Sequence, residues 1–297
     1  MLTKMGADVV IACRNAEKAQ RAVEKIAAAA SQGGHRSDVP VGTSRAAALD
    51  LGSIASIKAF AATQTGPLDV LINNAGVMAV PTRELTEDGF ERQIGVNHLG
   101  HFLLTGLLFD KLKRSPDGRV VSVSSEAHKI PPGQLNPDGD LNFEKTPYSA
   151  WPAYSQSKLA NILFIRELDR RVREAAGGGR PAVTAMVVHP GACRTDLGRY
   201  LFDANSINPA AALVASPILA LLVATTKSAN QLRRAPLQGA QTAVHCATSP
   251  ALGSGAGGGT YFLDTHAARP AAPALDAAAA RALWSESERL VGLQFRV

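Results

Sequence analysis

Tyr154 and Lys158 stand four residues apart in the stretch AYSQSKLANILF, residues 153–164. On a helix this spacing sends both side chains off one face, one turn apart. An ammonium held beside a phenol favours the phenolate, so the pair predicts a lowered tyrosine pKa and a hydroxyl that exchanges its proton near neutral pH. That is equipment for moving a proton on or off a carbonyl oxygen. The same spacing also makes an ordinary surface pair, so the functional reading depends on what the rest of the chain delivers to it.

The elements that must hold this pair follow from periodicity. Met1–Gly6 reads as a helix end stopped by Gly6. The β-branched run Asp8–Cys13 predicts a buried strand, followed at once by Arg14 and Asn15. Glu17–Ala30 predicts a helix, Ala46–Leu49 a brief strand ending at Asp50-Leu51, and Ser53–Gln64 a helix capped by Ser53. Leu68–Ile72 is a second apolar strand that runs into Asn73-Asn74-Ala75-Gly76. Thr86–Lys113 reads as a long helical stretch with room for a break, and Arg119–Val123 as a strand ending in Ser124-Ser125. The Tyr154 helix follows and stops at Gly177–Gly179. Ala182–Val188 is a strand leading into His189-Pro190-Gly191; a helix near Gly239–Thr248, a strand at Thr260–Leu263 and a helix around Leu275–Leu290 close the chain. Strands alternating with helices predict a doubly wound, Rossmann-like α/β fold with a parallel sheet. Ligands of such a sheet bind beyond the carboxyl ends of its strands. Those ends carry Arg14, Asp50, the Asn73–Gly76 run, Ser124-Ser125 and Pro190-Gly191.

With 297 residues, 46% of them hydrophobic, the chain can bury a sizeable core. Three widely separated cysteines, Cys13, Cys193 and Cys246, form neither a disulfide framework nor a metal-ligand spacing, so a reducing compartment, cytoplasmic or organellar, is expected. The net charge of +6 gathers around Arg166, Arg170, Arg171, Arg173 and Arg180 and reads as a solvated helix face; no nucleic-acid motif accompanies it. No signal peptide or membrane-crossing run is visible in the sequence. The most apolar segment, Leu213–Ala224, is interrupted by Pro217 and reads as a buried or pocket-lining helix, with a patch touching membrane or an apolar substrate as the alternative.

The chain resembles the short-chain dehydrogenase/reductase family, and its retinol-dehydrogenase-like members in particular. The likeness is carried by IACRN at 11–15, LDL at 49–51, LDVLINNAG at 68–76 and GFERQIGVNHLGHFLL at 89–104. It continues through VVSVSSEAH at 120–128, AYSQSKLAN at 153–161, VHPGACRTDLGR at 188–199, GAQTAVHCATSP at 239–250 and GTYFLD at 259–264. These motifs cover nearly the whole chain in family order. The resemblance implies one domain over 1–297, with 192–238 as a variable substrate-side region. It implies Tyr154 as acid/base, Lys158 as the residue that lowers its pKa and holds the cofactor ribose, and Ser125 as the donor to the substrate carbonyl oxygen. Asn97 would sit in a helix irregularity and hold a water of the proton relay. Asn74, Ala75 and Gly76 would bring backbone close to the cofactor, Asp50 and Leu51 would flank its adenine, and Pro190, Gly191 and Thr195 would meet its nicotinamide side. His98, His101, His128 and His189 fit the family's pattern without being ligands, so no metal is expected.

The cofactor expected is NADP(H) rather than NAD(H), because Arg14 stands where an acidic residue would repel a 2′-phosphate. The substrate expected is a lipophilic carbonyl or alcohol, retinal-, steroid- or lipid-aldehyde-like, with peripheral membrane contact an open expectation. One family element is not found in the sequence: the Thr-Gly-x-x-x-Gly-x-Gly turn between the first strand and the helix that receives the pyrophosphate. The sequence therefore predicts an N-terminally truncated product lacking about 25–35 residues, one βα unit. The absent strand would lie between Asp8–Cys13 and Leu68–Ile72, leaving two buried strand edges with unpaired backbone groups, low stability and poor or no NADPH binding. The alternatives are a degenerate member whose sheet closes differently, an inactive nucleotide-binding or scaffold protein, and a protochlorophyllide-reductase-like enzyme.

Overall fold

Residues 1–31, 40–131, 133–136, 139–191, 193 and 235–297 are described by the computed structural model. They fall into two units, Met1–Thr65 and Gly66–Val297. Thr195, Leu213–Ala224 and most of 192–238 lie outside the described residues.

In the first unit a short 3-10 turn, Leu2–Met5, ends at Gly6 with φ 89°, the left-handed conformation that glycine adopts without a Cβ penalty. The β-branched run forms β1 (Val9–Cys13), the Ala- and charge-rich segment forms α1 (Ala16–Ser31), and the chain returns as β2 (Ser44–Ala48). β2 lies parallel to β1, from Val9 opposite Ser44 to Cys13 opposite Ala48. Helix α2 (Ile54–Thr63) starts where Ser53 Oγ accepts from the Ser56 N–H, the cap expected from sequence. β1 is not the buried strand that its composition predicts. None of its residues is fully buried, and Val10 is 37% exposed. Among the described residues β1 is paired along one edge only.

The second unit holds a five-stranded sheet in the order β3 (Val70–Asn73), β4 (Gly118–Val123), β5 (Val183–His189), β6 (Tyr261–Leu263) and β7 (His266–Ala268). The first four are parallel and β7 is antiparallel. The sequence shows no sign of β7, because its hairpin turn is Asp264-Thr265, both at positive φ, without the glycine that marks such turns. β3 is also half-buried, with only Asn73 fully enclosed.

The stretch expected to be helical from Thr86 begins later. Residues 86–90 close a turn in which the Thr86 N–H donates to Phe90 O. The buried Glu91 carboxylate then accepts from the N–H groups of Gln93 and Ile94 and caps α3 (Arg92–Ile94). A π-helical turn, Gly95–Leu99, joins α3 to α4 (Gly100–Lys113). Among the described residues α5 (Ala150–Ala175), α6 (Pro236–Thr248) and α7 (Ala277–Val291) follow.

Every residue of β4 is buried, as is all of β5 but His189, as a parallel sheet covered on both faces requires. One face packs Val121, Val123, Met186 and Val188 with Phe262 and with Cys246 and Ala247 of α6. Elsewhere Phe102 of α4 meets Phe164 of α5 at 5.2 Å and Trp284 of α7 at 5.1 Å, and Phe295 closes on Trp284 at 4.8 Å. This aromatic cluster locks α4 and α5 together. Among the described residues no helix is long and apolar enough to cross a membrane.

Candidate active site

The buried β4 strand and the N-terminal half of α5 bring the proposed chemical groups together. Tyr154 is 3% exposed and Lys158 is 3% exposed, on one face of α5 as the spacing requires. Lys158 Nζ lies 5.7 Å from the centre of the Tyr154 ring and donates to Val123 O, at the end of β4, at 3.1 Å. Ser124 Oγ donates to the Lys158 carbonyl at 2.7 Å, and Asn161 Nδ2 donates to the same Val123 O at 3.2 Å. The end of β4 and the catalytic turn of α5 are thus stitched together by three bonds. Ser125, half-buried, caps the short turn Glu126–Lys129, and its hydroxyl also stands within hydrogen-bonding reach of Tyr154.

The electrostatics differ from the expectation. Burial pushes the Tyr154 phenol up to about 12, and the Ser125 hydroxyl only partly offsets this. Burial also pulls the Lys158 ammonium down to about 8. The ammonium does not lower the phenol here, because taking either charged form out of water costs more than their separation recovers. Tyr154 is therefore a protonated acid at neutral pH.

Asn97 sits in the π-helical turn, the irregularity expected from sequence. Its side chain is fully committed. Oδ1 accepts from the Val77 N–H at 2.8 Å, and Nδ2 donates to Val77 O and to Ser157 Oγ, both at 2.9 Å. Its backbone carbonyl, the atom that would hold a water, accepts from His101 Nδ1 at 2.9 Å. A carbonyl has a second lone pair, so one further donor can be accommodated. The clamp on Val77 fixes the loop after β3. A Cβ added at Gly76 would stand 2.9 Å from Asn97 Oδ1 and 3.6 Å from Lys158 Nζ, so the loop can lie this close only as glycine.

The histidines have protein partners. His101 is pulled down to about 3 by burial first and the Lys158 charge second, so it is neutral, with its Nδ1–H on Asn97 O. His98 Nε2–H donates to Ser287 Oγ, because that hydroxyl spends its own proton on Leu283 O. His128 Nδ1–H donates to the Ser125 carbonyl at 2.6 Å while its Nε2 accepts from the Ala271 N–H. His128 thereby ties the Ser125 turn to the C-terminal segment. No group of three or more potential metal ligands occurs among the described residues.

The remaining predicted residues divide between the two units. In the first, Arg14 and Asp50 follow β1 and β2 and form an ion pair at 3.8 Å, with Arg14 59% exposed. Asp50 Oδ1 accepts from the Gly52 N–H, and Leu51 is buried beside it. In the second, Asn74 and Ala75 are exposed after β3. Pro190 and Gly191 follow β5, with Gly191 at φ 76°. Thr195 lies outside the described residues. Sequence reasoning did not foresee the bonding roles of Ser124, Ser157, His101 and His128. Each lies inside a quoted motif, but its role depends on a partner 34, 60, 4 or 143 positions away.

The residues of the second unit fit the nicotinamide ribose of a dinucleotide. The Gly76 loop leaves backbone exposed at a strand end, and Val123 O takes only one of three ammonium protons on Lys158, which leaves donors for ribose hydroxyls. In the first unit, the exposed Arg14 guanidinium suits a phosphate once Asp50 yields it.

Comparison with known proteins bears on this geometry. A family model described as short chain dehydrogenase matches residues 1–137. The chain is 41% identical over 296 residues to human (Homo sapiens) "Retinol dehydrogenase 13", covering 99% of this chain and 80% of that protein. It is 40% identical over 299 residues to human "Retinol dehydrogenase 14", covering 98% and 81%. Among solved structures, an uncharacterized protein from Mycobacterium Paratuberculosis superposes with a TM-score of 0.68 at 35% identity, over 100% of this chain and 88% of that one.

Proposed function

Because the chain belongs to the short-chain dehydrogenase/reductase family, in its retinol-dehydrogenase-like branch, and is an oxidoreductase of that family, we propose that it reduces a lipophilic aldehyde or ketone at the Tyr154–Ser125–Lys158 cluster with NADP(H). The observation that carries this reading is the single buried cluster in which a protonated phenol, a hydroxyl and an ammonium stand together. A bound nicotinamide supplies the hydride to the carbonyl carbon. Tyr154 donates its proton to the carbonyl oxygen as negative charge grows there, and Ser125 donates a hydrogen bond to the same oxygen. Lys158 would hold the ribose hydroxyls of a bound cofactor with the ammonium protons that Val123 O leaves free. Lys158 is held for this by Val123 O and Ser124.

Burial keeps Tyr154 protonated at neutral pH, the form that can donate to a carbonyl oxygen. The lipophilic substrate class rests on the names of the retinol dehydrogenases that this chain resembles and on the Ala- and Leu-rich sequence after Thr195. NADP(H) is supported by Arg14, an exposed guanidinium after β1.

The test is NADPH oxidation, followed by absorbance, with a panel of lipophilic aldehydes including retinal. Tyr154→Phe removes one hydroxyl and should lower kcat by about 10²–10⁴-fold. The thermal midpoint should stay near that of the parent. A Phe variant with near-parental kcat would show that Tyr154 is not the acid.

A further inference from the structure

The arginine-rich face of α5 is not simply a solvated surface. Arg166, Arg170 and Arg173 fall at i, i+4 and i+7 on one helix face and, with Arg269 just after β7, line a cavity of about 680 Å³. Arg166 is twelve residues along α5 from Tyr154, about 18 Å at 1.5 Å per residue, so this cavity is separate from the catalytic cluster.

Two carboxylates also line it, and both are engaged. Glu167, its side chain 1% exposed, accepts from Arg170 Nε and Nη2 and from Arg171 Nε, each at 2.8 Å. Asp169 Oδ2 accepts from Arg173 Nε at 2.8 Å, while its Oδ1, buried against Gly258, has no hydrogen-bond partner among the described residues. Arg173 Nη2 is spent on Gly255 O. Arg166 and Arg269 take part in none of these pairs, so the cavity holds four guanidinium groups against two carboxylates, each already bonded to an arginine. The lining also includes the apolar residues Ala267, Ala268, Pro270, Leu275, Ala277 and Ala280. A cavity of this size suits a small molecule. Guanidinium groups and apolar side chains in one lining match a ligand that carries both a charged group and an apolar body.

We propose that this cavity binds an anionic amphiphile, an oxyanion head on a short apolar body, with Arg166 and Arg269 holding the head. Guanidinium groups recognise phosphate and carboxylate oxygens through paired N–H donors. The alanine and leucine part of the lining supplies the dry surface for the body.

Hexyl phosphate, inorganic phosphate and hexanol are titrated into the intact chain by calorimetry at about 0.15 M salt, where exposed charges are screened. Hexyl phosphate should bind saturably and at least about tenfold more tightly than either other probe, since head and body each contribute. Arg166→Gln/Arg269→Gln should weaken it by about tenfold or more, as should the exposed single change Arg269→Gln to a lesser degree. Turnover and unfolding midpoint should not move, because neither arginine touches the catalytic cluster. Dependence on these two arginines also separates this site from a phosphate subsite of the cofactor. Inorganic phosphate binding as tightly as hexyl phosphate, a non-saturating salt response, or undiminished binding in the double variant would overturn the proposal.

Discussion

Replacing Lys158 with Met should stabilise the fold while abolishing activity. Met fills similar volume on α5 and carries no charge. The ordinary lysine value is 10.5, and burial lowers it to about 8 in the folded protein. A group whose cation is disfavoured by folding binds fewer protons in the native state between those two values, so stability rises with pH across that window. The cost is fully present below about pH 8 and gone above 10.5. Each tenfold loss of proton affinity on folding is worth ~1.4 kcal/mol, so the cost amounts to about 3 kcal/mol at pH 7 and to less than ~1 kcal/mol at pH 10. Against this, Met loses the donation to Val123 O at 3.1 Å. That loss costs about 1 kcal/mol, and Asn161 still satisfies the carbonyl. The net expectation is a variant more stable by ~2 kcal/mol at pH 7 and close to neutral at pH 10. Urea unfolding of both proteins at the two pH values measures the difference, and NADPH oxidation measures the lost turnover. A variant that is less stable at pH 7, or that gains equally at both values, would refute a buried, charge-strained Lys158.

Three further outcomes follow from the same geometry. The pH profile of carbonyl reduction should be level through neutrality and fall above about 8, as Lys158 loses the charge with which it would hold the ribose hydroxyls of the cofactor; stopped-flow rates from pH 6 to 10 test this, and a profile rising through pH 8 contradicts it. Gly76→Ala puts a methyl group 2.9 Å from Asn97 Oδ1, tighter than real contacts allow, so it should strain the Val77 clamp and lower kcat/KM by about tenfold or more with a stability loss of about 1–3 kcal/mol. Arg14→Asp should shift preference from NADPH toward NADH by about 1–3 kcal/mol in kcat/KM, since it removes the guanidinium and places a second carboxylate beside Asp50; equal selectivity in both proteins removes Arg14 from cofactor choice.

What depends on local chemistry and short spacing was legible in the sequence. The Tyr154–Lys158 spacing fixed a shared helix face, and α5 presents it. The β-branched runs fixed β1, β4 and β5, Ser53 fixed a helix start, and Asn97 marked the irregular turn between α3 and α4. Motif order fixed the family. What depends on burial and on partners distant in sequence was settled by the tertiary fold. Whether Lys158 lowers the Tyr154 pKa is a contest between a charge and desolvation, and only the folded surroundings show that desolvation prevails. Glu91 became a buried cap because Thr86–Phe90 closed a turn ahead of it, which helical periodicity cannot foresee. β7 needed a hairpin at Asp264-Thr265 that carries no glycine to announce it. An arginine run that composition assigns to solvent lines a cavity because Arg269 and the start of α7 pack beside it, and no helix can specify from its own residues what lies across from it.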